Sequence, residues 1–203
     1  MKLTQFGKLL ATWILANVLI GISFTFSTYF WTLFPLSMII LIYISWKSNV
    51  DLKITKLKYN SNIIGIISGI SLYFLFLFTY VIIKSFFPYF VPFVQDLYSV
   101  VGPKQWWHYV LLLIIIPGEE IFWRGYIQKK CMQMYTPKLA VLVASALYAV
   151  AHIWSGNVML VAAAALSGLV WGYLYVWTKN LTVVILSHFF FNLFLLLILP
   201  LTF

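Results

Sequence analysis

Between Leu9 and Trp46 the chain carries no charged residue. A helix crosses the hydrocarbon of a bilayer in about 20 apolar residues, so this run is too long for one crossing and suits two. The break is expected near Thr25–Thr32. The rest of the 203-residue chain is similar: 64% of residues are hydrophobic and 8% are charged, far outside the range of a soluble domain. The net charge of +9 does not point to nucleic acid. The lysines sit in short segments between apolar runs, which is how cytoplasmic loops of membrane proteins look. The start of the chain, with Lys2 and Lys8 ahead of an apolar stretch, superficially resembles a secretory signal. No small-residue cleavage site follows it, so the first segment reads as an uncleaved span. A single cysteine, Cys131, excludes an internal disulfide and any multi-cysteine metal site.

The apolar runs predict an all-α, polytopic transmembrane bundle of about seven spans. Two come from Leu9–Trp46. The others are Asn62–Ile83, Trp106–Gln128, Lys138–Trp154, Val158–Thr178 and Leu181–Leu201. Lys47–Lys58 is expected to be a polar loop. Lys84–Lys104, interrupted by prolines and Gly102, is expected to lie along the interface, with Trp106 and Trp107 anchoring the next helix. With the N-terminus cytoplasmic, the inner side receives Lys2, Lys8, Lys47, Lys53, Lys56, Lys58, Lys129, Lys130, Lys138 and Lys179. The outer side receives only Lys84 and Lys104. The C-terminus is then expected outside. Gly65/Gly69 and Gly168/Gly172 have the spacing that lets helices approach closely. The whole is expected to be one integral membrane domain, with residues 1–105 supplying N-terminal helices and 106–203 the core that carries the chemistry.

Within the last four spans lie polar groups that hydrocarbon does not tolerate without a use. A carboxylate there costs several kcal/mol unless it is paired, neutralised or hydrated. Glu119 and Glu120 are the only glutamates of the chain, and Arg124 is its only arginine. Glu120 and Arg124 are four apart, share a helix face and are expected to form a structural ion pair. Glu119 is rotated about 100° away and has no partner on its own helix. Tyr148/His152 and His188/Asn192 are two further pairs at the same spacing. Pro117, just before the glutamates, removes a backbone hydrogen bond and is expected to kink the helix. Counting about 1.5 Å per residue from the inner helix ends places Glu119, His152 and His188 in the middle of the bilayer.

Such a set supports hydrolysis. A carboxylate withdrawn from water can take a proton from a bound water. A neighbouring histidine can orient that water, and a second histidine with an asparagine can donate to a developing oxyanion. Glu119, His152, His188 and Asn192 fill these roles, with Tyr148 as an orienting or packing neighbour. The blander readings are a satisfied core carboxylate for Glu119 and helix-packing histidines for the other two. His108, beside two tryptophans, reads as an interfacial residue. Asp51 and Asp96 read as solvated loop residues.

The three motifs in order are E-E-x-x-x-R (Glu119, Glu120, Arg124), aromatic-x-x-x-H (Tyr148, His152) and H-x-x-x-N (His188, Asn192). Over residues 106–201 they resemble the CPBP intramembrane proteases, also called the Abi or type II CAAX prenyl protease family. The family's second motif usually begins with phenylalanine, where this chain has Tyr148. The resemblance implies that Glu119 and His152 activate the attacking water and that His188 and Asn192 stabilise the oxyanion. It also implies a helical bundle around a cavity open to the cytosol and the lipid. A glutamate-type peptidase without metal is the expectation. Zinc on Glu119, His152 and His188 is the alternative, although no H-E-x-x-H helix is present.

The expected activity is therefore an endopeptidase acting inside the membrane on a membrane-associated peptide or protein, with lipid as the surroundings and no nucleic acid. Two other classes fit a small polytopic protein: a non-catalytic membrane protein of bacteriocin self-immunity, and a proton-coupled transporter. The latter lacks a recognisable inverted repeat. Richness in Ile, Phe, Lys, Tyr and Asn suggests an AT-rich bacterial genome and a cell-membrane location. The substrate would then be a leader peptide, a pheromone precursor or a membrane protein. No residue indicates the oligomeric state.

Overall fold

A computed structural model describes residues 2–48 and 59–201. Asp51, Lys53, Lys56 and Lys58, and most of the expected Lys47–Lys58 loop, lie outside the described residues. The described residues are helical with no strand. Helix α1 (Lys2–Thr25) and α2 (Phe30–Lys47) are joined by a short 3-10 turn at Ser27–Tyr29, where the long uncharged run was expected to break. Then come α3 (Tyr59–Phe86), the short α4 (Val91–Val101) and α5 (Trp106–Glu120). After Glu120 the helix widens to π geometry over Ile121–Gln128 and ends in α6 (Lys129–Met132). Helices α7 (Pro137–Ala151), α8 (Val158–Thr178) and α9 (Leu181–Asn192) follow, and α9 runs on as a π segment, Leu193–Ile198.

Among the described residues, six stretches are long and apolar enough to cross a membrane: Phe6–Thr25, Ser27–Lys47, Ser61–Phe86, Pro137–Ser155, Val158–Thr178 and Leu181–Ile198. The protein is thus an integral, multi-pass membrane protein. The remaining rod, α5 through α6, holds Glu119, Glu120 and Arg124, and these charges set it apart from the other crossings. The expected seven spans are six by length and apolarity, plus this polar rod.

Glycine spacing governs how closely the helices pack. Gly65 and Gly69 of α3 lie against α9: a Cβ on Gly65 would sit 2.7 Å from the Val183 carbonyl oxygen, and one on Gly69 would collide with that of Ser187. Only a residue without a side chain allows that approach. The second pair, on α8, faces α7 in the same way. A Cβ on Gly172 would meet Val141 at 2.8 Å. The carbonyl of Gly172 accepts a hydrogen bond from Gln128 Nε2 (2.9 Å), so the close approach also satisfies a buried amide on the π segment.

Three sequence expectations are refined. His108, near the start of α5, is buried in the protein: its ring packs on Trp31 and Trp107 and its Nδ1 accepts from the Gln105 backbone. The segment Lys84–Lys104 is more than an interfacial strip. Helix α4 is tied to the bundle by Trp31 Nε1 donating to the Val101 carbonyl (3.1 Å), Asn157 Nδ2 to Phe93 (2.6 Å) and Tyr98 Oη to Leu195 (2.8 Å). Asp96 is accordingly on a helix, though exposed as expected. The expected kink at Pro117 is instead a helix that runs on through it to Glu120 and then widens to π geometry, a device that recurs at functional sites.

Candidate functional site

Glu119, Glu120, Arg124, Tyr148, His152 and His188 are all buried, and they converge. Helix α5 delivers the glutamates in its last turn. Helix α7 ends at His152, its C-terminal cap. At about 1.5 Å per residue the 15 residues of α7 span roughly 22 Å, short of the hydrocarbon thickness. His152 therefore enters the site from a helix end rather than from mid-helix. Helix α9 carries His188 and Asn192 on one face, one turn apart.

The distances fix the arrangement. Glu119 Oε1 lies 3.9 Å from His152 Nε2, and Glu119 Oε2 lies 3.7 Å from His188 Nε2. Tyr148 donates its hydroxyl to Glu119 Oε1 at 3.2 Å. His152 Nδ1 lies 2.9 Å from the Tyr148 carbonyl. A carbonyl only accepts, so Nδ1 carries the proton and Nε2 of the neutral ring presents a lone pair to Glu119. His188 Nδ1 lies 2.7 Å from Glu120 Oε1, which also accepts from Arg124 Nη1 at 3.1 Å. Asn192 Nδ2 lies 3.3 Å from His188 Nε2. An amide nitrogen only donates, so Nε2 of His188 is the acceptor there.

The Glu120–Arg124 pair expected from the sequence is present, and its part is larger than expected. Glu120 also orients His188. Arg124 is held between the faces of Tyr148 (4.8 Å) and Trp171 (5.2 Å), and Trp171 stacks on the His188 ring at 3.7 Å. Sequence reasoning left Trp171 as one aromatic among many. Its only signal was a position facing the middle of α9, and a chain that is 20% aromatic hides such a signal.

A cavity of about 560 Å³ reaches this cluster. Glu119, Trp171 and His188 form its floor, and Tyr148, His152 and Asn192 line it. Its walls come from both halves of the chain, with Phe24, Phe30 and Phe34 from α1 and α2, Phe76 and Tyr80 from α3, and Val94 and Leu97 from α4. Residues before Trp106 carried only a general membrane pattern, yet they enclose the space. The volume lies within the usual range for ligand sites, and the lining is apolar with a few converging polar groups.

The lining lies toward one end of the bundle, the end of the Ser27–Tyr29 turn, α4 and Ser155–Asn157. That is the lysine-poor end. Lysines turned inward, expected from the sequence, and a cavity open to the cytosol, implied by the resemblance, therefore cannot both hold.

Fold and site together define a polytopic membrane protein with a carboxylate–imidazole centre at the floor of an apolar cavity. Residues 102–194, which include all three polar motifs, match the model of the Rce1-like family, described as type II CAAX prenyl endopeptidase Rce1-like. This is the family the motifs resemble, and at family level it supports a CAAX-type intramembrane protease. Neither a curated protein nor a solved structure matches the chain.

Proposed function

We propose that the protein is an endopeptidase that hydrolyses a peptide bond of a membrane-associated peptide, with Glu119 as general base. The observation that carries this reading is the meeting of the Glu119 carboxylate with Nε2 of His152 and Nε2 of His188, at 3.9 and 3.7 Å. Asn192 donates to Nε2 of His188 and Tyr148 to Glu119 Oε1, so among the described residues the acceptors left without a donor between them are Glu119 and Nε2 of His152. A water molecule fits that need: it gives its protons to two acceptors and keeps a lone pair for the substrate carbonyl.

In the proposed reaction His152 and Glu119 hold the water, and Tyr148 holds Glu119. The water oxygen bonds to the carbonyl carbon as Glu119 takes its proton. The Asn192 amide donates to the oxyanion in every protonation state. His188 can do so only once Nε2 is protonated, with Glu120 as counter-charge on the far nitrogen. Collapse of the tetrahedral intermediate breaks the C–N bond, and the proton on Glu119 passes to the leaving amine. Glu120 and Arg124 act through His188 as positioning residues.

The same acceptors suit zinc in kind, since each Nδ1 is tied to a carbonyl or a carboxylate as in metal-bound histidines. The reading without metal is favoured because the Asn192 amide already engages His188 Nε2. A chelator such as 1,10-phenanthroline is expected to leave cleavage unchanged, and loss restored by zinc would overturn that choice. Membrane peptides of cells carrying the wild type and Glu119→Gln test the function and identify the substrate together. Precursors should accumulate and their fragments vanish with the variant. Identical peptide profiles would overturn the protease reading.

A further inference from the structure

We propose that the substrate enters from the extracytoplasmic side, so that the bond cut lies in the outward-facing half of a membrane-held peptide. This inference rests on the protease reading for its substrate and on two independent observations for its direction.

The first is where the cavity opens. Following the helices end to end, α1 finishes, α2 begins, α3 finishes, α5 begins, α8 begins and α9 finishes at the same end of the bundle, and α4 lies across it. The cavity-lining residues of each helix come from this side of the polar cluster. On α3 they are Phe76 to Ile83, and on α8 they are Met159 to Trp171. Ser27, Asp96 and Gly156 line the cavity and are exposed. Toward the other end, among the described residues, the bundle is drawn together by Gly172 against Val141 and by Gln128 bonded to the Gly172 carbonyl.

The second observation is charge. The closed end carries Lys47, Lys129, Lys130, Lys138 and Lys179, and the sequence between α2 and α3 adds Lys53, Lys56 and Lys58. The open end has Lys84 and Lys104, and among the described residues no lysine or arginine lines the cavity, whose ionic side chains are Asp96 and Glu119. Lysine-rich short loops stay in the cytoplasm. The mouth therefore faces away from it. A prenylated protein tail held on the cytoplasmic surface would have to pass through the closed end to reach Glu119. A translocated precursor, or a peptide left in the outer leaflet, would meet the mouth directly.

The test requires no activity and so stands apart from the protease reading. In a Cys131→Ser background, Asp96→Cys marks the mouth and Gln133→Cys, exposed just after α6, marks the closed end. Intact bacterial cells producing each full-length variant are treated with a membrane-impermeant maleimide. Asp96→Cys should label in intact cells, and Gln133→Cys only after permeabilisation. Labelling of Gln133→Cys in intact cells, alone or together with Asp96→Cys, would overturn the proposal. Should either protein fail to accumulate, Thr28→Cys and Thr136→Cys, exposed at the same two ends, replace the pair. With this second pair the same pattern supports the proposal and the reverse contradicts it.

Discussion

The two ends of this bundle are built from the same apolar residues and do opposite things. At the lysine-rich end, small residues draw the helices together: Gly172 sits against Val141, and Gly65 lies against the backbone of α9. At the other end, aromatic and branched side chains stand apart around about 560 Å³ of space. The ionisable cluster lies at the boundary. Burial against the closed half fixes Glu120, Arg124 and the Nδ1 faces of both histidines. The hollow half leaves Glu119, both Nε2 atoms and Asn192 facing a space that a substrate can fill. Rigid support behind and room in front are what a preorganised hydrolytic centre requires.

If the boundary is where chemistry happens, substitutions there should lower turnover and leave folding nearly intact. The largest effect is expected from His188→Ala, which removes an Nε2 facing Glu119 and frees Glu120 from its imidazole. Cleavage should fall by at least about 10²–10³-fold, the usual worth of an oxyanion donor, as measured on a substrate identified from membrane peptides. Asn192→Ala should cost about 10²–10³-fold in kcat, in line with the loss of one oxyanion donor, with KM little changed. A rise in KM alone would make Asn192 a binding residue.

Substitutions in the closed half should do the reverse. Gly65→Val forces a side chain into the Val183 carbonyl, and such overpacking costs about 1–3 kcal/mol. Thermal unfolding in detergent should shift down, while the protein that remains folded should cleave at the wild-type rate. Lost turnover without lost stability would erase the distinction between the two halves. The smallest effect is expected from Tyr148→Phe. It removes the hydroxyl bonded to Glu119 Oε1 but keeps the ring beneath Arg124 and the carbonyl that orients His152. A change of less than about tenfold is expected from one neutral hydrogen bond.

How much of this was legible in the sequence differs along the chain. Helix positions were readable because apolar length is a local property: the turn at Ser27–Tyr29 and the span over α3 follow from it. The i,i+4 pairs were readable for the same reason, since each lies on one helix. The junction of Glu120 with His188 was not, because it joins residues 68 apart on different helices, and one carboxylate oxygen serves both Arg124 and the imidazole. Nor could the sequence show that α4 and the aromatic ends of α1 and α2 wall the cavity. Nothing in an apolar stretch says whether its face meets lipid, protein or an internal space. The burial of His108 was missed in the same way, since a histidine beside two tryptophans looks alike at an interface and inside a helix cap.

Glu119 is the group through which every step of the proposed reaction passes, and it is the one carboxylate that faces both imidazoles. The decisive measurement is the cleavage rate of purified wild type and Glu119→Gln in detergent on one peptide substrate, with thermal unfolding followed for both. The amide keeps the size of the side chain and can no longer take a proton from water, so turnover should fall by at least about 10²-fold at unchanged unfolding temperature. Equal turnover by the two proteins would remove Glu119 from the chemistry and contradict the account.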